Sequence, residues 1–280
     1  MKVLVTGAAG MLARAVTAEL ASRRMKAAGL TRQQLDITSE AATAEALREY
    51  RPQAVINCAA YTNVDAAEED PRQAFLVNGL AAKKLAALCR EEGIKLVHIS
   101  TDYIFDGEKD EPYQVYDSPC PVNRYGESKW WGEAAIREEG GDYLIVRLSW
   151  LFGPGGRHFV GTMLKLAETK GEIKVVDDQY GSPTYAPDAA RAIVDLLKAG
   201  ARGTFHVTNS GVTTWYDFAR AVLDAGGAKA HLVPCKTADF PRQARRPRYT
   251  ALDSFPLKEV IGYRLPSWEN ALLRYLAEKD

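Results

Sequence analysis

Short apolar, β-branched runs alternate with amphipathic stretches along the first half of the chain. Lys2 to Thr6 reads as a strand. Met11 to Arg24 predicts a helix, because Leu12, Val16 and Leu20 recur at the spacing that puts them on one face. Met25 to Leu30 reads as a weaker strand. A helix over Ser39 to Tyr50 leads to the strand Ala54 to Asn57. Pro71 to Glu92 predicts a long helix, stopped by Gly93 and followed by the strand Lys95 to Ser100. Asn123 to Glu138 predicts another helix and Tyr143 to Leu148 another strand. Strands apolar on both faces and joined by helices imply a parallel sheet covered on both sides. The expected fold class is α/β, a doubly wound parallel sheet.

The second half is less regular. Gly153-Pro154-Gly155-Gly156 breaks the pattern. A helix over Phe159 to Lys170 and a strand over Ile173 to Val176 follow. Pro187 to Ala199 predicts a helix opened by proline and closed at Gly200. Thr204 to Thr208 reads as a strand, and Thr214 to Ala225 as a helix capped by Thr213 or Thr214. Residues 234–250, rich in Pro and Arg, read as a loop or flap. Trp268 to Glu278 closes the chain as a helix. The division expected is residues 1–150 as one domain, 151–280 mainly as a smaller lobe, and segments near 175–200 returning to the first.

Composition removes several functions. Lys plus Arg number 36 and Asp plus Glu number 36, so no global basic field draws in nucleic acid or an anionic membrane. No apolar run approaches the roughly 20 residues that span a bilayer. The apolar stretch at Met1 to Gly7 is too short for a secretion signal. Cys58, Cys89, Cys120 and Cys235 are widely spaced, which suggests reduced thiols in a cytoplasmic protein. His98, His158, His206 and His231 lack ligand spacing, so no metal is expected.

Two motifs carry chemistry. Gly7-Ala8-Ala9-Gly10 ends a strand and opens a helix, the context in which a glycine turn holds a dinucleotide. Gly7 permits the turn, and Gly10 lets backbone approach a pyrophosphate at the helix N-terminus. The usual third glycine is Ala13. The alternative is an ordinary strand-to-helix turn. After the second strand the chain runs Gly29-Leu30-Thr31-Arg32, without the acid that would bind a ribose 2′-hydroxyl. Arg32 could pair with a 2′-phosphate, or be one more surface arginine, which tilts the cofactor toward NADPH over NADH. Asp36 and Ile37 could reach the adenine edge. The second motif is Tyr125-Gly126-Glu127-Ser128-Lys129. Residues four apart share a helix face, and an ammonium beside a phenol is expected to lower its pKa from about 10 toward neutrality. That makes Tyr125 an acid able to protonate an alkoxide. Such pairs are common on solvated helices, but Ser100-Thr101 ends a strand where a hydroxyl would project at the sheet edge.

These residues resemble the extended short-chain dehydrogenase/reductases, with a Rossmann-type NAD(P)-binding fold. Val64-Asp65-Ala66-Ala67-Glu68, Ser100-Thr101-Asp102-Tyr103-Ile104-Phe105-Asp106-Gly107, Arg147-Leu148-Ser149-Trp150 and Asp178-Gln179-Tyr180-Gly181-Ser182-Pro183-Thr184 are similar to blocks of the dTDP-4-dehydrorhamnose reductase family. So are Gly203-Thr204-Phe205-His206 and Thr214-Trp215-Tyr216. The resemblance implies a nucleotide-sugar substrate whose C4 ketone is reduced. It implies that Gly10, Met11 and Leu12 line the pyrophosphate, and that Ala59, Ala60, Tyr61 and Thr62 border the ribose and nicotinamide. It implies Thr101 on the substrate oxygen, Tyr125 as the acid, Lys129 on the nicotinamide ribose, and Asp102 and Trp150 on the sugar or its nucleotide. Ala13 and Cys58 depart from the family pattern.

Other readings stand beside these. Arg242, Arg245, Arg246 and Arg248 form either a solvated loop or a grip on a diphosphate, with Arg246 as the expected contact. Trp130 and Trp131 pack the helix or an interface, and exposure of either would favour a homodimer. The rivals to the main function are another nucleotide-sugar 4-ketoreductase and a non-catalytic regulatory subunit of the same fold.

Overall fold

In the computed structural model, which describes residues 1–278, six strands make the central sheet. They are β1 (Lys2–Thr6), β2 (Lys26–Leu30), β3 (Ala54–Asn57), β4 (Lys95–Thr101), β5 (Tyr143–Leu148) and β6 (Gly203–His206). Their order is β2-β1-β3-β4-β5-β6, and every neighbouring pair is parallel. Alternate residues explain the two covered faces. Val3, Val5, Ile56, Val97 and Val146 pack against the helices Met11–Ser22 and Ala186–Lys198. Leu4, Val55, Leu96 and Ile145 face the helices Glu40–Tyr50 and Ala81–Glu91. The doubly wound α/β reading therefore holds. The chain leaves β1 for β2 on one side and then β3 on the other. That reversal opens a crevice at the carboxyl ends of β1 and β3, where ligands bind in such sheets.

Helix Ala186–Lys198 packs on Met11–Ser22, and β6 completes the sheet, so part of the second half builds on the first. A separate core of Phe152, Val160, Phe218, Trp268 and Tyr275 holds the remaining lobe. Two expectations change here. Residues Glu172–Val176 stay outside the main sheet and pair in parallel with His231–Cys235. The latter strand carries Pro234, a residue that reads as loop in sequence but is tolerated in a two-stranded edge ribbon. The predicted helix over Pro71 to Glu92 is interrupted by a π-helical segment, Phe75–Leu80, between Pro71–Ala74 and Ala81–Glu91. The wider turn buries Asn78 and Gly79. Among the described residues, no helix is long and apolar enough to cross a membrane.

Candidate active site

The cleft floor is the glycine turn. Gly7 has φ +65°, and a Cβ there would lie 2.8 Å from the Ala59 backbone nitrogen. The ends of β1 and β3 thus meet backbone to backbone, which no side chain permits. Gly10 caps the Met11–Ser22 helix without a side-chain acceptor, and the first turn carries no acid. Its backbone N–H groups are left to an external anion, as a pyrophosphate requires. Ala13, in place of a third glycine, is fully buried and its methyl is absorbed by the core. The cleft holds about 690 Å³ and is lined by Gly7, Gly10, Met11 and Leu12 from this turn.

Arg32, Asp36 and Ile37 line one end of the cleft. The Arg32 side chain is 83% exposed, with Nε 3.8 Å from Asp36 Oδ2. Asp36 mainly stabilises its own turn, accepting from Thr38 N at 3.0 Å and Thr38 Oγ1 at 2.7 Å. Those bonds hold its carboxyl below the usual carboxylate range. On the facing wall, Ala59, Ala60, Tyr61 and Thr62 follow β3. Asn78 fixes this segment: Oδ1 accepts from Tyr61 N at 2.9 Å, while Nδ2 donates to Tyr61 O at 3.0 Å and to Ser128 Oγ at 2.9 Å. Asn78 was not legible in sequence, because the π-helical segment that turns it inward leaves no periodic signature.

Thr101 ends β4, accepts from Tyr103 N at 3.2 Å and donates to Asp102 Oδ1 at 3.0 Å. The helix Arg124–Glu139 is capped by Asn123, whose Oδ1 accepts from Gly126 N at 2.8 Å. A Cβ on Gly126 would stand 2.0 Å from Tyr103 O. This close approach brings Tyr125 against the β4 end, its ring edge-on to Tyr103 with centroids 5.9 Å apart and its side chain in the same cleft as Thr101.

The expected lowering of the phenol by Lys129 does not occur. Burial pushes Tyr125 up to about 12, the nearby Thr101 hydroxyl pulls it back, and the Asp102 charge adds to the rise. The lysine is directed elsewhere: Nζ donates to Ile99 O at 2.6 Å and sits 3.3 Å from His98 Nε2. Burial pushes Lys129 down to about 8, opposed by Glu133 and Cys58. Asp102, 2% exposed, is pushed up to about 7 by burial, with Thr250 and Thr101 opposing.

The second lobe supplies the far wall. Trp150 adopts φ 45° and stacks on Trp215 with centroids 3.4 Å apart and planes 5° apart. A Cβ at Gly181 would lie 2.3 Å from the Trp150 ring, so this stack needs a glycine there. Gly155 and Gly156 press on Arg14 and Met11, which carries Arg157 to the cleft. Sequence reasoning assigned no role to Trp215 or Arg157; the only signals were the Thr214-Trp215-Tyr216 block and the glycine run. Arg246 is placed differently from the rest. It is not among the cleft-lining residues, and its Nη2 donates to Asp65 Oδ2 at 3.0 Å while Nη1 donates to Ala244 O at 3.0 Å.

The family model for the RmlD substrate binding domain matches residues 1–280. The chain belongs to this family. A dTDP-4-dehydrorhamnose reductase of Burkholderia thailandensis is 40% identical, over 97% of this chain and 97% of its own length. A dTDP-4-keto-6-deoxy-D-glucose reductase of Streptomyces niveus is 41% identical, over 96% of this chain and 94% of its own. A crystal structure of a dTDP-4-dehydrorhamnose reductase from Bacillus anthracis, in complex with NADP, matches with TM-score 0.96 and 38% identity, covering 99% of each chain.

In this member of the RmlD family one cleft gathers Thr101, Asp102, Tyr125, Lys129 and Trp150 with the whole glycine-turn wall. Two hydroxyls, a buried acid and a lysine therefore share one space with the glycine turn. Such a set can protonate an oxygen as it gains negative charge.

Proposed function

We propose that this protein reduces the C4 ketone of dTDP-4-dehydro-L-rhamnose to dTDP-L-rhamnose, with NADPH preferred over NADH. The observation that carries this reading is that Thr101, Tyr125 and Lys129 line the same cleft as the glycine turn. The relatives' names supply the substrate class. Gly7, Gly10, Met11 and Leu12 would hold the pyrophosphate, and Ala59, Ala60, Tyr61, Thr62 and Lys129 the nicotinamide side.

The dinucleotide supplies the hydride when bound. Tyr125 gives its phenolic proton to the ketone oxygen as charge builds there, a downhill transfer because a phenol is a stronger acid than the alcohol formed. Thr101, by turning its proton away from Asp102 Oδ1, offers a second hydroxyl to the same oxygen. Lys129, charged at neutral pH, places a positive group on the helix face that carries Tyr125. Trp150 and Trp215 present a flat apolar wall to the sugar. Asp102 receives a sugar hydroxyl. Arg32, exposed on the rim beside Asp36, is the partner for a 2′-phosphate. Arg246 reaches the substrate diphosphate only by leaving Asp65.

Four free thiols fit a cytoplasmic setting. Trp131, Leu76 and Leu80, at 42%, 36% and 40% exposure, lie on adjoining helices and form the face we assign to a homodimer.

The test is loss of NADPH absorbance on adding dTDP-4-dehydro-L-rhamnose, against dTDP-4-keto-6-deoxy-D-glucose and with NADH in parallel. Rapid loss with the first substrate that vanishes in Tyr125→Phe supports the reading. Full turnover by Tyr125→Phe refutes the mechanism, and preference for the second substrate refutes the specificity.

A further inference from the structure

Thr6, Asn57 and His98 lie in one row across three strands. Thr6 pairs with Asn57 in the β1–β3 register, and Asn57 with His98 in the β3–β4 register. Residues paired in register project to one face. Two residues earlier on that face, the row is Leu4, Val55 and Leu96, all apolar and buried. The sheet face turns polar only where Lys129 arrives. Thr6, Asn57 and His98 are each at most 1% exposed, and none lines the cleft. A fully buried polar row costs more than an apolar one of the same shape, so packing alone gives no reason for it.

The contacts run in sequence. Thr6 accepts from Ala59 N at 3.3 Å, beside the glycine turn. Thr6 Oγ1 donates to Asn57 Oδ1 at 2.6 Å. Asn57 Nδ2 is 3.2 Å from His98 Nδ1, and His98 Nε2 is 3.3 Å from Lys129 Nζ.

We propose that His98, held by Asn57 and Thr6, is the positioning residue that aims the Lys129 ammonium and sustains its charge. The proposal rests on the reading above that Lys129 serves the reductase reaction. An ammonium has three N–H donors. Ile99 O takes one at 2.6 Å, His98 Nε2 takes the second, and the third is left for the cleft that Lys129 lines. Burial and the lysine charge hold the imidazole well below its ordinary pKa, so it stays neutral and can accept. The other groups that act on Lys129 are Glu133 on its own helix and the Cys58 thiol after β3. Cys58 is itself pushed up to about 12 by burial and is uncharged.

The row has one polarity for each state of Lys129. With the ammonium, Nε2 accepts, Nδ1 carries the proton, and the Asn57 amide is turned so that its oxygen faces Nδ1 and its NH2 donates to Thr6 Oγ1. With the neutral amine, Nε2–H donates to Nζ, and Asn57 Nδ2 donates to Nδ1. A half-turn of the amide separates the two.

Three measurements test this. In the unaltered protein, nitrogen NMR of the His98 ring is expected to change from the Nδ1–H to the Nε2–H tautomer as pH rises through the Lys129 pKa of about 8. A single tautomer from pH 6 to 10 overturns the proposal. The basic limb of kcat/KM, set by loss of the ammonium, is expected to move down by about one pH unit in His98→Leu, since the charged form has lost an acceptor. His98→Gln, which keeps an acceptor, is expected to restore the limb. A folded His98→Leu that binds NADPH and keeps the original limb also overturns it. Tyr125→Phe is run alongside: turnover surviving there defeats the reductase mechanism, whereas an unmoved limb with Tyr125→Phe inactive defeats only the role of His98.

Discussion

Glu133 and Arg147 meet as a two-pronged ion pair in the protein interior, with side chains 0% and 1% exposed. Arg147 Nε donates to Oε1 at 3.0 Å and Nη2 to Oε2 at 2.8 Å. Glu133 is one helical turn beyond Lys129, so the helix that carries Tyr125 is bound to the sheet at two successive points. Glu133→Ala leaves the Arg147 charge buried without its partner. We expect a loss of roughly 3–5 kcal/mol in urea unfolding. Arg137→Ala removes a more exposed member, 29% exposed, and is expected to cost about 1 kcal/mol. Equal losses for the two variants would show that the buried pair is not what secures the helix.

Gly126→Ala tests the contact that seats Tyr125. The added methyl would stand 2.0 Å from Tyr103 O, and backbone on both sides must move apart. We expect kcat to fall by at least ~10²-fold, while NADPH binding, most of whose assigned contacts lie on the glycine turn and the Ala59 to Thr62 wall, changes less. Unchanged kcat would mean that the phenol position tolerates the shift.

Asp102 makes stability depend on pH. Its carboxyl sits at about 7 in the folded chain against about 3.9 when unfolded. A folded-state pKa raised in this way means that the folded chain binds the extra proton. The contribution is complete below about pH 4 and is lost as pH rises through about 7. Asp102→Asn cannot ionise, so its stability relative to the unaltered protein should improve from pH 5 to pH 8, by up to roughly 2.5 kcal/mol. Urea midpoints at the two pH values measure it, and a constant difference between the proteins would contradict the raised carboxyl.

Arg32→Ala is expected to raise the KM for NADPH by about 10-fold and to leave that for NADH unchanged. The side chain is 83% exposed, so stability should not change. Equal effects on the two cofactors would remove Arg32 from 2′-phosphate recognition.

Most of the cleft was legible in the linear pattern. The glycine turn follows a strand of period two and precedes a helix of period 3.6, so its place at a sheet edge is fixed locally. Tyr125 and Lys129 share a helix face by spacing alone. The Lys129 effect on the phenol was misread, because spacing says nothing of where an ammonium finds its acceptors. Those acceptors are Ile99 O and His98 Nε2 on another element.

By itself, then, the sequence determined the strands of the central sheet, most of the helices beside them and the residue types at their ends, because short-range sterics and hydrophobic period act within a few residues. Only the tertiary structure decided that Thr6, Asn57 and His98 share one row, that Asn78 is turned inward by a π-helical segment, and that Trp215 and Arg157 reach the cleft. It also decided that Arg246 binds Asp65, 181 residues away in sequence. Register, burial and the direction of a long side chain depend on partners far apart along the chain, and those partners meet only when the sheet and both lobes have packed.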